Sequence, residues 1–145
     1  MGGVIDCEVH FTPNFGTTEG VFFSDGPGLW VPGGATHPLE PIKVTVEKGK
    51  IVKVEGGKEA DIVRGLVETS DKGGRNDVIS ELGVGMNSYW TPDGSLHWEK
   101  KGLGNMHVAF GGRETRTAFY CDLSIHHGTF WVDGKKYVDD GKLLF

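Results

Sequence analysis

IKVTVEKGKIVKVEGGKEADIVRGLVET, residues 42–69, carries two periodicities in one stretch. Its first half places Ile42, Val44 and Val46 on one face of a strand, and Ile51 and Val54 in a returning strand. Lys48-Gly49 sits between them, where a tight hairpin turn needs positive φ. From Lys58 to Thr69 the apolar spacing changes to that of a helix, with Ile62, Val63, Leu66 and Val67 expected on the buried side. A hairpin running directly into an amphipathic helix predicts an α+β protein.

Outward from that stretch the pattern is mostly β. VIDCEVHFT (residues 4–12) and Val21–Ser24 alternate like strands, as do Asp77–Val84, Met106–Phe110 and Ala118–Ile125. TFWVDGKKYVDDGKLL reads as a closing hairpin about Asp133-Gly134. DGPGLWVPGGATHP, residues 25–38, is too rich in Gly and Pro to predict regular structure, and NSYWTPDGSLHW reads as a loop with room for one short helical turn. The 24 glycines suit short strands joined by tight turns and disfavour a helical bundle. The expectation is a single domain over residues 1–145, mostly antiparallel β, either barrel-like or a strongly twisted sheet, with one main helix.

Composition removes several functions. A net charge of −5 without a basic run argues against nucleic acid. No apolar stretch approaches the ~18 residues that span a membrane, and the N-terminus lacks a signal-peptide pattern, so a cytoplasmic setting is expected. Cys7 and Cys121 have no zinc-ribbon spacing and read as two buried thiols.

Chemistry concentrates in ELGVGMN (Glu81–Asn87), EKKGLGNMHVAFGG (Glu99–Gly112) and SIHHGTFWVDG (Ser124–Gly134). Imidazoles and carboxylates on glycine-flanked strands are suitable donors for a divalent metal. His107 lies between glycines that permit close backbone approach. His126 and His127 point to opposite faces of a regular strand, so one of them at most reaches a given ion. Glu8 and Glu81 occupy apolar, strand-like surroundings, where a carboxylate is costly unless paired or metal-bound. Glu99, in HWEKKG, is expected in a solvated turn or against a lysine.

The order of these segments resembles the C-terminal region of the aminopeptidase T family of metallopeptidases, which also includes the 2,5-dihydroxypyridine dioxygenases. VTVEKGKIVKVEGGKEADIV, ELGVGMN, EKKGLGNMHVAFGG, the histidine segment and the final Asp-Gly hairpin carry the likeness, and CEVHFTP is similar to the family's G-E-V-F-T-A-P. The resemblance implies metal ligands at Glu8, Glu81, His107 and His126, with Glu81 catalytic as the carboxylate bridging two metals. It also exposes departures. Gly128 stands where the family's H-x-D element has its aspartate, leaving His127 or Asp122 to substitute, and Glu114 stands near the place of a family tyrosine. The family's N-terminal α/β domain has no counterpart in these residues, which implies a homo-oligomer or a partner chain supplying the missing half.

Three functions follow as expectations. The leading one is a hydrolase of aminopeptidase type, or its metal-binding half, using Zn, Co or Mn on a peptide or other small-molecule substrate. The alternatives are a mononuclear Fe(II) ring-cleaving dioxygenase, using His107, His126 and one carboxylate, and a non-catalytic metal-binding or assembly domain.

Overall fold

The computed structural model describes residues 7–30, 34–69, 75–92, 96–112, 115, 117 and 119–145. The described strands are β1 (Glu8–Phe11), β2 (Gly20–Ser24), β3 (Gly28–Trp30), β4 (Gly34–Thr36), β5 (Ile42–Glu47), β6 (Lys50–Glu55), β7 (Ile79–Gly85), β8 (Met106–Gly111), β9 (Tyr120–Ile125), β10 (Phe130–Val132), β11 (Lys135–Asp139) and β12 (Lys142–Leu143). The main helix α1 spans Lys58–Glu68, and a short α2 spans Leu96–Glu99. None of the described helices is long and apolar enough to cross a membrane.

The strands form a six-stranded sheet ordered β1-β7-β8-β9-β3-β4 and two three-stranded sheets, β2-β5-β6 and β10-β11-β12. All three are antiparallel. The expected antiparallel α+β character is present, but the expected barrel-like closure is not. The large sheet stays open, with β1 and β4 at its two edges. Its apolar face is covered from outside: Phe110, Cys121 and Leu123 cluster with Ile42, Val44 and Val54 of the β5–β6 hairpin and with Val63 of α1. Face-to-face packing removes that surface from water without closing the sheet. At the other end Val84 and Met106 meet Val138 of the C-terminal meander.

The turns follow from chain chemistry. Lys48 and Gly49 both have positive φ (49° and 76°), as do Asp133 and Gly134 (50° and 81°). That is the mirror-image turn whose twist matches antiparallel strands. Asp140-Gly141 repeats it (49° and 72°) and adds β12, making a three-strand meander where one hairpin was expected.

Two further expectations are corrected. Residues 25–38 do hold strands, since β3 pairs with β4 and Gly28 pairs with Leu123 of β9. Pairing along an available sheet edge outweighs the local composition there. On α1 the buried side chains are Ala60 and Val63, both 0% exposed, whereas Ile62 is 44% exposed. At 100° per residue Ile62 is turned well away from the line through Ala60, Val63 and Val67.

Register decides which side chains share the outer face of the large sheet. Gly83 lies opposite His107, Glu81 opposite Ala109, and these face Ser124 and Asp122 on β9. Glu8 and His10 of β1 lie opposite Gly85 and Gly83. Glu8, His10, Glu81, His107, Tyr120, Asp122 and Ser124 therefore occupy one face, and the aliphatic residues between them occupy the other.

Candidate metal centre

β8 carries His107 at its centre, 0% exposed. Its ring leans across Gly83: a methyl group built there would meet imidazole Cε1 at 2.0 Å. A residue without a side chain on β7 is thus what lets the ring lie down toward Glu81. His107 Nε2 stands 2.9 Å from Glu81 Oε1 and 3.9 Å from both Glu8 Oε2 and Asp122 Oδ1.

Each carboxylate is held from behind. Tyr120 donates its hydroxyl to Glu81 Oε2 at 2.8 Å. Lys100 Nζ donates to Asp122 Oδ2 at 2.9 Å, and this pair is almost wholly buried. Lys101 Nζ lies 3.6 Å from Glu8 Oε1, and His10 Nδ1 lies 3.5 Å from the same oxygen. The hydrogen bond from His107 is the main reason the Glu81 carboxyl falls to a pKa of about 2, against the opposing effect of burial. Burial first, then the negative charge of Asp122 and the bond to Glu81, push the Tyr120 phenol upward, so it remains a donor. Burial lowers Lys101, and the charge of Asp122 opposes this.

Donor atoms of Glu81, His107 and Asp122 converge within 4.8 Å of one another, and those of Glu8, His10 and Glu81 do the same. His107 Nδ1, Glu8 Oε2 and Asp122 Oδ1 are buried without a hydrogen-bond partner. Buried polar atoms ordinarily have partners. Two orphaned carboxylate oxygens, each 3.9 Å from the Nε2 of one imidazole, fit a divalent cation.

Of the sequence-derived candidates, Glu8, Glu81 and His107 come together here, and His126 stands elsewhere. Its Nε2 lies 3.2 Å from Glu99 Oε2, while His37 Nε2 lies 3.3 Å from Glu99 Oε1. Glu99 is 0% exposed, so the expected solvated turn is corrected. A carboxylate between two imidazoles tolerates burial that a lone one would not. The His126 ring packs against those of His37 and Trp90, with centroids 5.8 and 6.1 Å away. It also rests over Gly26, where an added methyl would come within 2.6 Å of Nε2. The backbone N–H of His126 donates to Asp25 Oδ1 at 2.7 Å. Burial lowers the His126 pKa despite the charge of Glu99. His126 and His127 lie beyond the end of β9, and His127 is exposed with Nδ1 3.1 Å from Asp140 Oδ1.

The sequence reading named Asp122 only as a substitute ligand and gave no role to Tyr120, Lys100 or His37. A signal for two of them exists in YCDLSI, where Tyr120, Asp122 and Ser124 alternate with Cys121, Leu123 and Ile125. Glu114 lies outside the described residues. Cys121 is buried, as expected, whereas Cys7 is half-buried.

Residues 6–145 match the profile of the family described as NicX: 2,5-dihydroxypyridine 5,6-dioxygenase. Among solved structures, the 2,5-dihydroxypyridine dioxygenase from Pseudomonas putida KT2440 is similar, with a TM-score of 0.74 and 21% sequence identity over 93% of this chain. That likeness speaks to the fold. The aligned region is 42% of the dioxygenase chain, so this chain spans about two fifths of its length. No curated protein matches the sequence significantly. The match is to dioxygenases, and it overturns the expected hydrolase of aminopeptidase or metalloprotease type.

Proposed function

The chain belongs to the 2,5-dihydroxypyridine 5,6-dioxygenase family, and from that premise we propose that it forms the metal-holding portion of an enzyme that opens a hydroxylated, nitrogen-containing aromatic ring with dioxygen. The observation that carries the proposal is the convergence of Glu81, His107 and Asp122 on one buried point. We assign these three residues as ligands of a single Fe(II), with Glu8 at the margin. Two carboxylates and one imidazole are hard-to-borderline donors of the kind that suit this ion. They differ from a set of two histidines and one carboxylate, because His126 faces Glu99. When bound, the metal offers open positions where a chelating substrate and dioxygen can be brought together.

The protein groups do the positioning. Tyr120 and Lys100 fix the two carboxylates, so that little reorganisation is needed when charge enters the site. The remaining walls of the pocket belong, in this proposal, to a second copy or to a partner chain.

Anaerobic titration with Fe(II), followed by dioxygen uptake in the presence of 2,5-dihydroxypyridine, tests the reading. The expected result is one equivalent of iron, with affinity reduced roughly 10–100-fold or more in His107→Ala and Asp122→Asn and retained in His126→Ala. Iron binding unchanged by His107→Ala would sink the site. Iron binding without dioxygen uptake by the holoprotein would sink the oxygenase.

A further inference from the structure

β1 ends the large sheet, and among the described residues no strand pairs with its outer edge. Met86 N donates to Cys7 O at 3.0 Å, which makes Cys7 an inward-bonding position. Val9 and Phe11 follow it by alternation, so Glu8 and His10 turn their N–H and C=O groups outward. The apolar side of this edge is equally unfinished. Val9 is 60% and Phe11 46% exposed. Both continue into an apolar groove of about 310 Å³ whose lining includes Met86, Phe130, Val132 and Phe145. An open edge beside an apolar groove is the surface on which strands add.

We propose that the occupant is a second copy of this chain, whose β1 pairs antiparallel with β1 about a two-fold axis. Outward-pointing residues must exchange the hydrogen bonds, which limits the symmetric registers near the centre of β1. One places Glu8 opposite Glu8, another places His10 opposite His10, and the third places Glu8 of each copy opposite His10 of the other. Like groups directly opposed are unfavourable, whereas a carboxylate opposite an imidazole N–H is complementary. The third register is therefore selected, with four N–H···O bonds across the axis. It sets Val9 against Val9 of the second copy and lays Phe11 of the second copy beside Cys7 and Met86, over the groove. It also brings His10 of the second copy to Glu8, whose other oxygen is 3.9 Å from His107 Nε2. Each copy thereby adds a side chain to the margin of the other's polar site. An isologous contact of this kind closes on itself and hides the edge. The inference stands independently of the oxygenase reading.

Sedimentation equilibrium of the full chain, with circular dichroism as a folding control, is the first measurement. A species of twice 15.7 kDa is expected. His10→Pro removes an outward donor from each copy while leaving the β1–β7 bonds in place, and should weaken association roughly tenfold or more. The register is read separately by Val9→Cys in a Cys7→Ser background, which should form an intermolecular disulfide under mild oxidation. If His10→Pro fails to fold, this cross-link reports alone. A chain that stays monomeric at its highest soluble concentration overturns the proposal. So does a dimer that gives no cross-link through Val9→Cys, since its interface then lies on another face or in another register.

Discussion

Gly83 and Gly26 lie under imidazoles, so the smallest residues set the position of the largest donors. Gly83→Ala places a methyl 2.0 Å from the His107 ring, which is fully enclosed and has nowhere to turn. We expect a stability loss of about 1–3 kcal/mol in urea melts, together with weakened metal binding. Lys100→Met should cost more, about 3–5 kcal/mol, because it strands a buried Asp122 charge. Lys50→Met, in an exposed pair with Asp77, should cost no more than about 1 kcal/mol. His126 predicts a pH effect. Burial depresses its folded pKa below the ordinary histidine value. The unfolded chain therefore takes up the proton first, and stability is lost as pH falls below the unfolded value of about 6.5. His126→Gln should flatten that slope in melts compared between neutral and mildly acidic pH. An unchanged slope would refute the assignment to His126. That His107, Glu81 and Glu8 lie close together agrees with their strand-like settings and with the order of the segments that carry them. Tyr120 and Lys100 were not legible in the sequence, since their value depends on which strand lies opposite. The placement of His126 against Glu99 was not legible either, because a motif position does not say which buried carboxylate a histidine will face.

At the scale of elements, the β5–β6 hairpin and α1 show how far pattern carries. Turn chemistry at Lys48-Gly49 and Asp133-Gly134 and helical spacing across Lys58–Glu68 are local properties, and each was readable. β3 and β4 were hidden because their pairing comes from the edge of β9, a non-local partner. Phase within α1 was also blurred, as neighbouring apolar residues allow more than one buried stripe. Chemical denaturation of a mutant pair checks the observed phase. Val63→Ala should cost about 2 kcal/mol, since the residue is fully buried. Ile62→Ala should change stability by no more than about 0.5 kcal/mol, because its side chain is largely solvated. Equal losses would mean that the helix sits in the other phase.

Across the whole molecule, an ion that binds only the folded chain must raise its stability. At a hundredfold excess of Fe(II) over its Kd, the gain should be about 2.7 kcal/mol, visible as an anaerobic rise in Tm, and Asp122→Asn should cut it to about 1.4 kcal/mol or less at the same iron concentration. A Tm indifferent to the ion would speak against the centre as assigned. The sheet that holds the centre has a further consequence for how the chain reaches its native state. His107 and Asp122 alternate along their strands with Val108, Cys121 and Leu123, which belong to the core. If β9 slipped by one residue along β8, the Asp122 carboxylate would enter the oil and Cys121 and Leu123 would enter the site. Both errors arise in a single event, so no misfolded species keeps a sound core around a broken centre. Selection acting on the chemistry therefore proofreads the strand alignment as well, and selection for a dry interior guards the ligands.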